Sequence, residues 1–123
     1  MPETKGGCLC GAVRYSVKGT PIHRTLCHCG NCRRATGSHA VAWVTFPASD
    51  FSLLTGKPKS FFSETGAIWS FCDRCGTTLT YENKSRPGQV DLTAGSLDNP
   101  EAFPPNKDVC FDEKLSWVAS AEE

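Results

Sequence analysis

The segment "AIWSFCDRCGTTLTYEN", residues 67–83, sets the reading of the chain. Two runs rich in β-branched and aromatic residues flank a C-x-x-C turn, Cys72 to Cys75, which exits through Gly76. The runs predict strands and the turn has the form of a zinc knuckle. A tight turn aims both sulfurs at one point, and glycine tolerates a positive φ where the chain leaves it. One knuckle supplies two ligands, so a closed site needs a second pair.

"CLCG", residues 8–11, is a candidate for that pair. In an extended segment residues i and i+2 share a face, so Cys8 and Cys10 aim together, and Gly11 again stands at the exit. Cys8, Cys10, Cys72 and Cys75 then make a four-cysteine structural zinc site. Either pair alone would read as a redox dithiol. A third group, "CHCGNC" at 27–32, holds three thiols, Cys27, Cys29 and Cys32. Three protein ligands plus an exchangeable fourth position is the usual pattern of a catalytic zinc. Two alternatives stay open. A histidine, His23, His28 or His39, closes the site, although His28 should face away from its neighbours on a strand. Or Cys29 and Cys32 act as a metal-free redox pair. Cys110, alone in the apolar run "DVCF", reads as a buried core cysteine. Thiolate sites of this kind admit iron as well as zinc.

Eight cysteines in 123 residues would also suit a disulfide scaffold. Clustered C-x-C and C-x-x-C pairs favour a metal instead, and the N-terminus lacks the basic and apolar segments of a secretory signal. No apolar run approaches the roughly 20 residues of a membrane span. The expectation is one soluble, cytoplasmic domain covering residues 1–123. With 13 basic and 13 acidic residues the formal charge is zero, which gives no electrostatic case for nucleic acid or anionic membrane as partner.

Period-2 alternation marks "GAVRYSV" (11–17), "AVAWVTF" (40–46) reads as a buried strand, "FSLLTG" (51–56) and "QVDLTAGSL" (89–97) are further strand candidates, and "VCFDEKLSWV" (109–118) is a candidate last strand. "NCRRATG", 31–37, predicts one short helix capped by Asn31 and ended by Gly37. The fold class is mostly β, with antiparallel sheets folded around zinc sites and one or two short helices.

"GCLCGAVRY", "CHCGNCRRATG", "AWVTF", "FCDRCGTTLTY" and "VDLTAGSLDNP" resemble, in order and spacing, the glutathione-dependent formaldehyde-activating enzymes (GFA), a family that includes the centromere protein V group. The resemblance runs from about Gly7 to Trp117. It implies a β-tent-like fold and two zinc ions per chain: a structural one on Cys8, Cys10, Cys72 and Cys75, and a catalytic-type one on Cys27, Cys29 and Cys32. It implies carbon–sulfur lyase or synthase chemistry of the glutathione plus formaldehyde type, with a small-molecule thiol such as glutathione as partner. The chain departs from the pattern near its end, where Asp108 and Cys110 stand in place of a His and an aromatic residue. The alternative is a zinc-stabilised binding or interaction module without turnover. Arg33 and Arg34, next to the three-thiol loop, read either as carboxylate binders or as a solvated helix turn. Trp43, Trp69 and Trp117 read as core.

Overall fold

The computed structural model describes residues 2–122. Among these residues the strands are β1 (Glu3–Gly7), β2 (Arg14–Lys18), β3 (His23–Cys27), β4 (Val41–Pro47), β5 (Phe51–Thr55), β6 (Lys59–Phe62), β7 (Ala67–Phe71), β8 (Thr78–Asn83), β9 (Gln89–Thr93) and β10 (Lys107–Val109). One α-helix, α1 (Gly30–Thr36), follows β3. No helix is long and apolar enough to cross a membrane.

The fold is mostly β, as the alternation predicts. β1, β2 and β5 form a three-stranded antiparallel sheet. The other seven strands form a sheet in the order β10-β3-β4-β9-β8-β7-β6. Its pairings are antiparallel except that of β10 with β3, which is parallel.

β4 shows how this sheet separates core from cavity. Side chains alternate along a strand, so its two faces have different neighbours. Val44 and Phe46 join Tyr15 and Val17 of the small sheet and Leu79, Val90 and Leu92 of the large one in the main core. Val41 and Trp43 face the other way, into a second cluster with Cys27, Cys32, Ala67 and Trp69. "AVAWVTF" is apolar but for Thr45, whose hydroxyl donates to Asp91, because both of its faces are covered.

Polar contacts tie the two sheets together. Tyr15 Oη is 2.6 Å from Ser96 Oγ, Arg14 donates twice to Asp98, and the Asp98 amide donates to the Lys5 carbonyl at 2.9 Å. β1, "ETKGG", carries little strand signal, yet Gly6 is required there. A Cβ on Gly6 would stand 2.4 Å from Tyr15 Oη.

Three expectations need correction. The helix cap is Cys29, whose Sγ accepts from the Cys32 amide at 3.2 Å, not Asn31; Gly37, with φ 75°, does end the helix. The last strand stops at Val109, because Cys110 turns into the left-handed region (φ 52°, ψ 43°) and a short 3-10 turn follows. Trp117, in that segment, is 71% exposed and therefore not core.

Leu92 is fully buried where the two sheets meet. Leu92→Ala should lower stability by about 2–5 kcal/mol with an unchanged denaturant slope, measured by urea unfolding of the metal-replete protein.

Candidate metal centres and cavity

The four sulfurs of Cys8, Cys10, Cys72 and Cys75 lie within 4.8 Å of one another. Both pairs sit in turns of similar build. The Cys8 amide donates to the Val13 carbonyl and the Cys72 amide to the Thr77 carbonyl, five residues on in each case. Gly11 (φ 81°) and Gly76 (φ 83°) take the left-handed exits. Cys8 and Cys10 therefore converge through a turn rather than through an extended segment. The Cys8–Cys10 and Cys10–Cys72 sulfur separations are 3.7 and 3.8 Å. Sulfurs at about 2.3 Å from a shared tetrahedral zinc would stand about 3.8 Å apart, so the cluster fits that ion. Val13 N–H donates to Cys8 Sγ at 3.2 Å, and Thr77 Oγ1 lies 3.2 Å from Cys75 Sγ. The Thr77 hydrogen bonds pull the Cys75 thiol down to about 5. Such contacts favour thiolates, the form that binds metal.

The second cluster forms where β3 runs into α1. Cys27 ends β3, Cys29 caps the helix and Cys32 lies on the helix's buried side. Cys32 Sγ is 3.3 Å from Cys27 Sγ and donates to it, which draws the Cys27 thiol down to about 6. The sulfurs that all stand within 4.8 Å of one another here are those of Cys27, Cys29 and Cys110. Cys110 is thus not a core cysteine. It is exposed, and its sulfur joins the cluster. Its apolar neighbours in sequence suggested burial, and nothing local signals the strand pairing that brings it here. The two clusters could bind metal ions, and their thiolate donors are compatible with zinc.

A buried polar network docks β10. Val109 pairs with Cys27 across the parallel ladder, and the His28 amide donates to the Val109 carbonyl at 3.1 Å. His28, fully buried, points away from the sulfurs, and its Nε2 lies 2.7 Å from Asp108 Oδ1. Burial opposes the charge on Asp108, but hydrogen bonds from Ser120, His28 and the Ala121 amide prevail and hold its carboxyl at about 2. An ionised carboxylate only accepts, so His28 Nε2 carries the proton. Arg33 is structural too. Its guanidinium donates to the carbonyls of His28 and Glu113 and clamps the C-terminal segment onto the loop.

The second cluster opens onto a cavity of about 1080 Å³ over the outward face of the seven-stranded sheet. Its walls include Trp43, Trp69, Tyr81, Phe61 and Arg34. Trp43 and Trp69 are 4% and 9% exposed, so they are buried and line the cavity at once. The Trp69 and Tyr81 rings meet edge to face at 4.7 Å. Deeper in, buried Asp91 accepts from Thr45 Oγ1 at 2.6 Å and from Arg86 at 2.6 and 3.2 Å. These lining residues were invisible as a site in the sequence, since only sheet order brings them together. Of the other histidines, His23 lies on the cavity wall and His39 packs against Trp117.

The glutathione-dependent formaldehyde-activating enzyme family model matches residues 3–113. The chain belongs to that family. Among GFA relatives, an uncharacterised lyase of Schizosaccharomyces pombe is 29% identical over 122 residues, covering 93% of this chain and 82% of that protein. A Halomonas elongata protein, provisionally named a glutathione-dependent formaldehyde-activating enzyme, is 27% identical over 123 residues, with 93% and 78% covered. A crystal structure of a Rhodobacter sphaeroides protein superposes on this GFA chain with a TM-score of 0.70 at 25% identity, covering 85% of this chain and 99% of that one.

Asp108→Ala leaves His28 buried without its acceptor and frees β10. It should cost about 2–4 kcal/mol and speed amide hydrogen exchange at His28, whose amide bonds to β10, while exchange in the main core changes only with global stability. Urea unfolding and exchange mass spectrometry check both.

Proposed function

We propose that the protein is a zinc-dependent carbon–sulfur lyase or synthase that joins or separates a small-molecule thiol and an aldehyde, of the glutathione plus formaldehyde type. One observation carries this reading: a cluster of sulfurs stands at the edge of a cavity large enough for a tripeptide-sized ligand. Cys27, Cys29 and Cys32 would hold a zinc there, and Cys8, Cys10, Cys72 and Cys75 a structural one. Zinc on thiolates supplies one chemical service, holding a further thiol in its nucleophilic, deprotonated form.

The chain's own side chains do the rest. Trp43, Trp69 and Tyr81 give the cavity apolar walls that limit water around the reacting sulfur. Arg34, exposed and on the cavity wall, is placed to take a substrate carboxylate, whereas Arg33 is spent on backbone carbonyls. Clustered cysteine pairs that serve as metal ligands rather than disulfides suit a reducing compartment such as the cytoplasm.

A second reading has its own support. Cys110 puts a fourth protein sulfur beside the cluster. A site closed by four protein sulfurs is the usual form of a structural zinc, and so of a module without turnover.

Cys29→Ser should abolish thiol-dependent turnover of an aldehyde such as formaldehyde while far-UV circular dichroism stays unchanged. Retained turnover in that variant, or no turnover by the wild type across a panel of thiol and aldehyde pairs, counts against the enzyme. Elemental analysis of protein purified without chelator should give two zinc ions per chain; one would leave only the structural site. Arg34→Ala should raise KM for glutathione about threefold to tenfold with little change in kcat, since its contact is exposed and common to ground and transition states.

A further inference from the structure

Cys110 has a position that the three-thiol reading does not use. It arrives from β10, at the far end of the chain, and its sulfur stands within 4.8 Å of those of both Cys27 and Cys29. The placement is held from several sides. Val109 is in register with Cys27, and the Asp108–His28 contact anchors the strand one residue further back. Beyond Cys110, the Glu113 amide donates to the Cys110 carbonyl at 3.0 Å. Among the described residues Cys110 is the one non-glycine with a positive φ. That conformation is unfavourable for a side chain bearing a Cβ, so the contacts on either side impose it.

The four sulfurs of this region differ in access, and Cys32 reaches Cys27 at 3.3 Å without joining the group that Cys27, Cys29 and Cys110 form within 4.8 Å. Cys27 and Cys32 are buried, Cys29 is half-buried and Cys110 is exposed on the cavity wall. A cluster built this way has three inner sulfurs and one on the solvent side.

We propose that Cys110 is the fourth thiolate of the second metal site and the one that an incoming substrate thiol displaces. The proposal rests on the reading of Cys27, Cys29 and Cys32 as metal ligands. The exchange balances: one metal–sulfur bond to Cys110 breaks, one to the substrate sulfur forms, and the substrate S–H proton passes to the released Cys110 thiolate. Ligand count and charge are unchanged, and no oxidant or reductant is needed. The exposed sulfur would then keep other ligands off the metal until a thiol of the right shape fills the cavity. It also reconciles a closed resting site with catalysis.

The test is alkylation of the two-zinc protein by iodoacetamide under a phosphine reductant, with each cysteine followed by peptide mass mapping. Cys110 should label at least about tenfold more slowly than in protein stripped of the second metal. Adding glutathione should restore Cys110 labelling while Cys27, Cys29 and Cys32 stay protected. Free labelling of Cys110 with those three protected would overturn the proposal and leave the three-ligand reading standing. Labelling of all four would overturn both. Protection of Cys110 that glutathione does not relieve would overturn the displacement and favour the module without turnover. A second measurement does not depend on labelling. Cobalt-loaded Cys110→Ala should lose sulfur-to-cobalt charge-transfer intensity and release its second metal to a chromophoric chelator at least about tenfold faster; spectra and release rates equal to wild type would sink the proposal.

Discussion

The approach of the sulfurs of Cys8, Cys10, Cys72 and Cys75 to within 4.8 Å of one another constrains the rest of the molecule. It joins a turn between β1 and β2 to the turn of the β7–β8 hairpin, 72 − 10 = 62 positions away in the chain. Thiolates at that spacing repel unless a cation lies among them, so apposition of the two sheets at this corner and metal binding are linked equilibria. Cys8 and Cys72 are both members of the main core, which makes the site continuous with the hydrophobic packing rather than an attachment to it.

The seven-stranded sheet divides its labour by face. One face packs against the small sheet and buries aliphatic side chains; the other carries the second sulfur cluster, the aromatic walls and the Thr45–Asp91–Arg86 contacts. Rigid strands thus set the cavity's shape. The loop that bears Cys29 is fixed by the helix it caps and by the Arg33 clamp. Side chains held by such elements are positioned before any ligand arrives, which lowers the orientational entropy lost on binding.

Much of this was legible in the residues. The knuckle turns announced themselves by spacing and by Gly11 and Gly76, because ligand pairs and left-handed exits are local demands. The strands at 40–46 and 67–83 are equally plain, since their β-branched and aromatic content marks them. β1 was not, because "ETKGG" owes its conformation to pairing with β2 and to the space Tyr15 needs over Gly6. Cys110 misled for a related reason. Its neighbours are apolar, but its environment is set by the parallel pairing with β3, and register across some eighty residues leaves no trace in local pattern. Trp117 misleads in the same way, since its apolar setting suggests core while the turn at Cys110 ends the strand and the ring lies exposed. His28 pairs with Asp108, a partner eighty residues away that lies beyond reach of any local rule.

The pairing of β10 with β3 also fixes an order of assembly. Cys27, Cys29 and Cys32 lie within six residues of one another, while Cys110 follows Cys27 by 110 − 27 = 83 positions. Contacts of that separation form late, because the closure entropy of the intervening chain must be met first. During synthesis the three sulfurs of this short loop emerge long before the strand that carries Cys110. Cys110 then arrives with β10, so a metal bound at the proposed site before that point would be held by the loop alone.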